Sequence, residues 1–597
     1  MEKSNTTALK GSQITIKCLE KLGVEVVFAY PGGQAIELHQ ALQDSTLRVI
    51  LPRHEQGGAF AANGYARATG KVGVAMATSG PGATNLLTGI ADAYMDSVPT
   101  VFITGQVPLA NIGKNAFQET DIIGMTRPIV KHSYLVLDAR DLPRIMKEAF
   151  YLAGSGRPGP VVVDIPKNVQ QQFVADLNFD CDMAIQAYEP APQASEDEIT
   201  ALRTLIAAAS KPCVYIGGGI VAAEAADELI KFAESYNMPV TSTMMALGAF
   251  PLHHPLSLHW PGMHGTVYAN NAINECDLLL AFGARFDDRV IGNPDSFAAG
   301  ARIVHVDIDL SEINKNKPVT LGIHANIKDV LTELNQEPIY KEYKEWFAQI
   351  AEWKESYPLT YEIKEDRIQP QFVVETLSQL TGGEAVIVPG VGQHQMWATQ
   401  FYGYRHPRQL LSSGGLGSMG FGLPAAMGAK VARPDATVIN IDGDGSFQMN
   451  IQELGTLYVE DIGVKMIILN NQHLGMVAQW EDRFYNSRRG NTILGSPKDK
   501  AYYPDFVTIA KGYGIPGRTV TRREEVADAI KEMLETPGAF LLDVHTGYDE
   551  HVLPMIPPGK TYKDIITSPW RQTKPCEQCK LPHRFCALGD GDCPECK

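Results

Sequence analysis

The chain has 597 residues, 44% of them hydrophobic and 20% charged, with a formal net charge of −16 at pH 7. This length exceeds what one hydrophobic core can organise and predicts about three domains of ordinary enzyme composition. The acidic balance excludes sequence-independent nucleic-acid binding, and no apolar run reaches the roughly 20 residues of a membrane helix. Residues 1–7 lack an apolar signal core and are too short for an obvious transit peptide, so a cytosolic location is expected, with an organelle that makes its own proteins as the alternative.

The first domain, expected over residues 1–185, alternates apolar strand candidates at 24–30, 72–77, 100–104 and 160–165 with helix-like segments. That alternation predicts a parallel sheet covered by helices on both faces. Two glycine-rich loops follow strands: Tyr30-Pro31-Gly32-Gly33 and Thr78-Ser79-Gly80-Pro81-Gly82-Ala83-Thr84-Asn85. Both permit close approach of a ligand, and plain turn chemistry explains them equally. Between them, Pro52-Arg53-His54-Glu55-Gln56 precedes Gly57-Gly58-Ala59-Phe60-Ala61-Ala62. A carboxylate opening an apolar helix is partly desolvated and is a candidate proton carrier. A helix-starting Glu favoured by the dipole is the simpler local reading.

Residues 187–197 (AYEPAPQASED) read as a linker. A second α/β domain, expected over 195–340, has strands near Val214, Val240, Leu278 and Ile303. Gly217-Gly218-Gly219 follows one strand and Asp307 ends another, which is dinucleotide-binding logic, although a triple glycine alone is a weak signal. The charged stretch 340–367 predicts a helical connection to a third α/β domain over 369–555.

In that third domain two apolar runs, 436–441 and 464–469, lead into Asp442-Gly443-Asp444-Gly445-Ser446 and Asn470-Asn471. As buried parallel strands they deliver a carboxylate and a carboxamide oxygen to one crevice. Gly443 and Gly445 let the backbone approach phosphate, and a hard cation such as Mg²⁺ suits the oxygens. Gly443-Asp444-Gly445 alone could be a turn before a helix; the second strand end with its Asn pair favours the site.

Four of the nine cysteines, Cys18, Cys181, Cys213 and Cys276, are scattered, which suits buried thiols in a reducing compartment. The rest crowd into residues 569–597. Cys576-x-x-Cys579 and Cys593-x-x-Cys596, with His583 and Cys586 to spare, have the shape of a small zinc ribbon. The loop between them is short for that pattern, and a flexible thiol-rich tail explains it equally.

Glu55 in RHEQGG, TSGPGATN and the GDG…NN pair together resemble the thiamine-diphosphate enzymes of the decarboxylase and carboligase class. More narrowly, residues 10–566 resemble catalytic subunits of acetohydroxyacid (acetolactate) synthase. The resemblance is carried by GQVP (105–108), AFQETD (116–121), SGRPGPVVVDIPK (155–167), GMHGTVYAN (262–270), GARFDDRV (283–290), VGQHQMWA (391–398), SSGGLGSMGFGLPAA (412–426) and NNQHLGMVAQWEDRF (470–484).

That resemblance implies three doubly wound parallel-sheet domains that bind the pyrimidine ring, FAD and the diphosphate. It implies Glu55 against the aminopyrimidine, with Asp444, Asn471 and the carbonyl of His473 on Mg²⁺. Gly443, Gly445 and Ser446 would face the diphosphate, with Gly33, Gly82, Gln393, His394, Met396, Gly417 and Met419 in the cofactor pocket and Met419 as the wedge that bends the cofactor. A structural FAD would meet Arg157, Gly217, Gly218, Thr243, Met263, His264, Gly283, Arg285, Asp287 and Asp307. Arg289 would read the carboxylate of the second 2-oxo acid and Trp480 wall its alkyl group, with Phe117, Gln118 and Lys167 nearby. Without the resemblance, Arg289 reads as a surface ion pair and Trp480 as core. The resemblance further implies acetolactate synthesis for branched-chain amino acids, a homodimer or tetramer, and a separate regulatory subunit. Gln34 and Ala478 depart from the family pattern, where Ala and Met are common. A flavin-using pyruvate oxidase, a catabolic acetolactate synthase that needs no flavin (disfavoured by the FAD-domain matches) and a non-catalytic scaffold on the same fold are the other readings.

Overall fold

The structure, a computed structural model, describes residues 8–186, 188–496 and 502–569. The cysteine-rich tail and its zinc-ribbon reading lie outside the described residues. Two compact units emerge: Met1–Pro192 with Ser413–Val438 and Asn450–Val464, and Gln193–Ser412 with Ile439–Met449 and Lys465–Lys597.

In the first unit a six-stranded parallel sheet runs Arg48–Ile50, Val26–Ala29, Gly73–Ala77, Thr100–Gln106, Pro160–Pro166, His132–Leu135. The four inner strands are buried at every position, as a sheet covered on both faces requires, so they are written as largely apolar runs, broken in the last two by the mutually bonded Thr104, Gln106 and Asp164. The two edge strands, unlike these, are half-exposed; Arg48–Ile50 is the strand-like segment expected before Pro52, and His132–Leu135 was not foreseen. Val27, Val74, Met76, Val101, Ile103, Val161 and Val163 pack with Ile14, Leu19, Leu142 and Ile145 of the helices Gly11–Lys21 and Leu142–Gly154. The helix Glu55–Thr69 runs against the strands Val26–Ala29 and Gly73–Ala77 and is buried from Gly57 to Ala68. It also packs on the helix Gly422–Ala432. A Cβ at Gly64 would lie 2.0 Å from the Ala425 carbonyl oxygen, and one at Gly428 would lie 1.9 Å from that of Ala61. Only glycine lets these backbones approach so closely.

The second unit holds two five-stranded sheets. The first, Val240–Ser242, Pro212–Ile216, Leu278–Phe282, Arg302–Asp307, Leu321–His324, is parallel throughout. Its chain order reverses between Pro212–Ile216 and Leu278–Phe282, the switch point where open α/β sheets bind ligands. Leu321–His324, an edge strand, was not foreseen. The second sheet runs Val386–Pro389, Val438–Gly443, Lys465–Asn470, Phe540–His545, Gly517–Val520. Ile439, Ile441, Ile467, Leu469, Leu542 and Val544 form its core with Val373, Leu377, Ile530 and Met533, joined by Leu247 and Trp260. The expected helical connection is the helix Lys344–Ser356, anchored by buried Trp346, whose Nε1 donates to the Pro212 carbonyl at 2.9 Å. Among the described residues no helix is long and apolar enough to cross a membrane. Cys18, Cys213 and Cys276 are buried free thiols, and Cys181 is half-buried and free.

Candidate active site

Gly443 pairs with Leu469 in parallel register, so Asp444 and Asn471 leave the sheet side by side. Asp444 opens the short helix Asp444–Phe447 and is buried. Burial pushes its carboxyl up to about 7, while its own backbone N–H and that of Asn471 pull it down. Its Oδ2 has no hydrogen-bond partner. A buried carboxylate oxygen without a donor is what a hard cation satisfies. Asn471 Oδ1 accepts from His473 N at 3.0 Å and keeps a second lone pair. Among the described residues no three His, Cys, Asp or Glu side chains converge. The donor set here is instead one carboxylate and one carboxamide oxygen, hard donors that suit Mg²⁺ sharing its shell with phosphate and water.

The helix Gln393–Phe401 carries Gln393, His394 and Met396 to the same strand ends. Asn471 Nδ2 donates to Gln393 Oε1 at 3.3 Å. His394 Nε2 lies 3.3 Å from Asp442 Oδ1. A Cβ at Gly443 would lie 2.8 Å from His394 Nδ1, so no side chain fits there. Ser446 is buried, with Val391 N 3.4 Å from its Oγ.

In the first unit a second constellation gathers at the carboxyl ends of the six-stranded sheet. Glu55 is half-buried and accepts from Asn85 Nδ2 at 3.0 Å. A Cβ at Gly82 would lie 3.2 Å from Glu55 Oε1. Lys167 Nζ donates to the Gly33 carbonyl at 3.0 Å. Gly80, at φ +59°, lies against Gln118, itself at φ +60°, and Phe117 protrudes, 85% exposed. Gly33, Glu55, Gly82, Gln118 and Lys167 therefore share one sheet end. Gly417 (φ +71°) and half-buried Met419 lie in the loop before the helix Gly422–Ala432. That loop is pinned by buried carboxylates. Asp92 accepts from the Ser413 and Ser418 hydroxyls, and Asp96 from Gly414 N at 2.9 Å and Gly415 N at 2.7 Å.

In the second unit Trp480, on the helix Gly475–Phe484, is half-buried and edge-on to Phe484 at 5.8 Å, not core. Its neighbour Gln479, which with Trp480 sets the chain apart from a flavin-using oxidase in sequence, had been given no role in the site. Gln479 Nε2 donates to the Val552 carbonyl at 3.1 Å, and its Oε1 accepts from Val552 N at 2.7 Å and Gln393 Nε2 at 2.9 Å. The same segment reaches Met263, whose carbonyl accepts from Ile556 N at 2.8 Å. It also meets His264, whose Nδ1 lies 3.3 Å from the Pro554 carbonyl. Burial pushes His264 down to about 4, so the ring is neutral and Nδ1–H donates. Met263 N donates to the Arg289 carbonyl at 2.8 Å. The Arg289 side chain is 64% exposed and 3.7 Å from Asp288, a loose surface pair.

At the switch point a Cβ on Gly217 would lie 2.1 Å from the Gly283 carbonyl oxygen, and Gly218 faces Met245. The buried Thr243 hydroxyl has no partner. Asp287 caps the helix Asp288–Ile291 through Arg289 N at 3.0 Å; burial raises its carboxyl and Arg285 pulls it down. Asp307 ends its strand and accepts from Asp309 N at 2.9 Å. An unsatisfied hydroxyl beside a bare glycine crossing at a switch point fits a dinucleotide. Arg157 belongs to the first unit, where its Nε donates to Ser97 Oγ at 2.8 Å.

The class follows from three segment matches. Residues 9–125 match the N-terminal TPP binding domain of thiamine pyrophosphate enzymes, residues 199–334 their central domain, and residues 390–544 their C-terminal TPP binding domain. Acetolactate synthase 3, chloroplastic, of Brassica napus is 53% identical over 575 residues, covering 95% of this chain and 88% of that protein. Acetolactate synthase 1, chloroplastic, of Oryza sativa subsp. japonica is 55% identical over 568 residues, covering 93% and 88%. Acetolactate synthase, chloroplastic, of Arabidopsis thaliana is 53% identical over 568 residues, covering 94% and 84%. The chain belongs to the acetolactate synthase family of thiamine pyrophosphate enzymes.

Proposed function

We propose that this chain decarboxylates pyruvate and joins the two-carbon unit to a second 2-oxo acid. Pyruvate as acceptor gives 2-acetolactate and 2-oxobutyrate gives 2-aceto-2-hydroxybutyrate, the first common step toward valine, leucine and isoleucine. The observation that carries the reading is likeness to acetolactate synthases along nearly the whole chain. Bound thiamine diphosphate supplies the carbon nucleophile and the electron sink for loss of CO₂.

The chain's own residues bind, orient and move protons. Asp444, Asn471 and the His473 carbonyl hold Mg²⁺, and Gly443, Gly445, Ser446, Gln393 and His394 hold the diphosphate. Glu55 would hold or give a proton at the aminopyrimidine ring, and Met419 would pack against the cofactor as an apolar wedge, with Gly33, Gly82, Met396 and Gly417 as further cofactor-binding positions. Arg289 swings from its loose surface pair to fork the acceptor's carboxylate. Trp480 walls its alkyl group, and Lys167, Phe117 and Gln118 complete the pocket. FAD rests structurally on Gly217, Gly218, Thr243, Met263, His264, Gly283, Arg285, Asp287 and Asp307, with Arg157.

Domains at residues 1–185, 195–340 and 369–555, a homodimer or dimer of dimers, a separate regulatory subunit and a cytosolic or organelle-internal location complete the proposal. The test is product analysis with pyruvate and 2-oxobutyrate together, with and without thiamine diphosphate, Mg²⁺ and FAD. Both hydroxy acids are expected, dependent on the first two additions. Oxygen consumption without acetolactate would overturn the reading in favour of a flavin oxidase.

A further inference from the structure

Glu453 opens the helix Glu453–Val459 and is fully buried, yet none of the roles above uses it. Its carboxylate reaches a turn 400 residues earlier in the chain. Arg53 N lies 3.1 Å from each of its oxygens, His54 N lies 3.1 Å from Oε1, and Thr456 Oγ1 lies 2.7 Å from Oε2. Arg53 and His54 immediately precede Glu55, where the helix Glu55–Thr69 begins, and His54 is its N-cap, with Nδ1 accepting from Gln56 N at 3.1 Å. The backbone N–H groups of this turn lie ahead of the helix, so no helical carbonyl can take them. An anion at a helix amino terminus is also favoured by the dipole.

Gly57 leaves room for the contact: a Cβ there would lie 2.3 Å from Glu453 Oε1. Arg53 N is equally close to both oxygens and His54 N joins it on Oε1, so the site asks for a group that accepts at both positions, which a carboxylate does. An amide would turn its NH₂ group on one of the donors. Burial pushes the Glu453 carboxyl up to about 7, while Thr456 and the Arg53 and His54 N–H groups pull it down. Packing alone would be served at lower cost by an apolar side chain.

We propose that Glu453 is a positioning residue for Glu55: it clamps the backbone of residues 53–54 and so fixes the direction in which the Glu55 carboxylate leaves the helix. The inference rests on the reading of Glu55 as the group that exchanges a proton with the aminopyrimidine. The experiment compares Glu453→Gln, Gly57→Ala and Glu55→Gln with the parent holoenzyme. It reads kcat, deuterium exchange at C2 of bound thiamine diphosphate, calorimetric Kd for Mg²⁺-thiamine diphosphate, and amide exchange of a peptide spanning Arg53 and His54.

Glu453→Gln is expected to slow C2 exchange and kcat together, roughly 10- to 100-fold, the effect of a small misplacement of a reacting group. Kd should hold and the Arg53–His54 amides should exchange faster. Gly57→Ala, which displaces the same carboxylate from the other side, should reproduce the pattern, and it carries the test if Glu453→Gln does not fold. If Glu55→Gln keeps normal C2 exchange, the role of Glu55 falls and the inference falls with it. If Glu55→Gln loses exchange while folded Glu453→Gln keeps it, the inference alone is overturned. A Glu453→Gln loss that tracks weakened cofactor binding, with Gly57→Ala unaffected, also overturns it.

Discussion

Replacing Arg67 by methionine should destabilise the first unit severely and by a mechanism that can be separated from packing. Arg67 lies 3.0 Å from Asp92 and 2.9 Å from Asp96, with side-chain exposures of 6% for the arginine and 0% for both carboxylates. Its guanidinium also lies over the Phe421 ring at 5.2 Å. Methionine keeps much of the aliphatic volume but leaves two buried carboxylates facing one another. Removing one partner of a buried pair costs about 3–5 kcal/mol, which corresponds to roughly 10 °C in the melting midpoint of a unit this size.

The deficit should also depend on pH. Burial pushes the Asp92 carboxyl up to about 6, Asp96 raises it further, and Arg67 is the main group pulling it down. Without Arg67 the folded carboxyl titrates higher still. A group raised in the folded state loses its stabilising contribution as pH rises through that folded value. The deficit should therefore be larger at pH 8 than at pH 6. The triple variant Arg67→Met, Asp92→Asn, Asp96→Asn removes the stranded charges and should recover part of the loss. Thermal scans by circular dichroism at both pH values read the effect, comparing midpoints because a protein of several units does not unfold in two states. A midpoint unchanged at both pH values, a larger deficit at pH 6, or a triple variant no better than Arg67→Met would refute the reasoning. Because the same carboxylates hold residues 413–418, Arg67→Met should also weaken thiamine diphosphate binding.

Asp164 is buried and accepts from Thr104 Oγ1 at 2.7 Å and Gln106 Nε2 at 3.0 Å, and burial pushes its carboxyl from 3.8 up to about 7. Its contribution is present below the ordinary carboxylate range and lost as pH rises through about 7. The melting midpoint of Asp164→Asn minus that of the parent should rise from pH 5 to pH 8; the opposite slope would remove the argument. Chelating divalent cations, or Asp444→Asn, should release thiamine diphosphate on gel filtration, since each removes half of the pairing between the orphan Oδ2 and its cation; retention in both would exclude that role. Thr243→Val, which deletes a buried hydroxyl without a partner, should stabilise the flavin-free protein by about 1 kcal/mol while lowering flavin affinity, and a loss in both contradicts the fit. Trp480→Leu should shift the ratio of the two hydroxy-acid products by no more than about 1–3 kcal/mol of discrimination; an unchanged ratio places the alkyl pocket elsewhere.

Much of this architecture was legible because parallel strands covered on both faces are written as continuous apolar runs. Asp444 and Asn471 were legible for the same reason, since each sits just past such a run. The edge strands His132–Leu135 and Leu321–His324 were not, because a half-exposed edge carries no long apolar signal. Trp480, without the family resemblance, read as core; the structure leaves it half-buried. Arg289 kept the surface ion pair that its local sequence suggests. The bonds of Gln479 to the segment around Val552 were not legible, because an amide bonded to a distant backbone leaves no periodic trace. Glu453 was silent for a similar reason: its partners are backbone N–H groups, and any residue type supplies those.

The close crossing of the helices Glu55–Thr69 and Gly422–Ala432 has a consequence for synthesis of the chain. Gly64 meets Ala425, so one helix face of the amino-terminal sheet lacks its cover until roughly 360 more residues have been translated, on the order of 20–70 s at ordinary elongation rates. Throughout that interval the nascent chain presents an alanine- and glycine-lined helix face to solvent or to a chaperone. A chain truncated after Ser412 should bind an apolar dye that the full-length protein excludes. Silence of the dye would mean that another segment covers that face in the meantime.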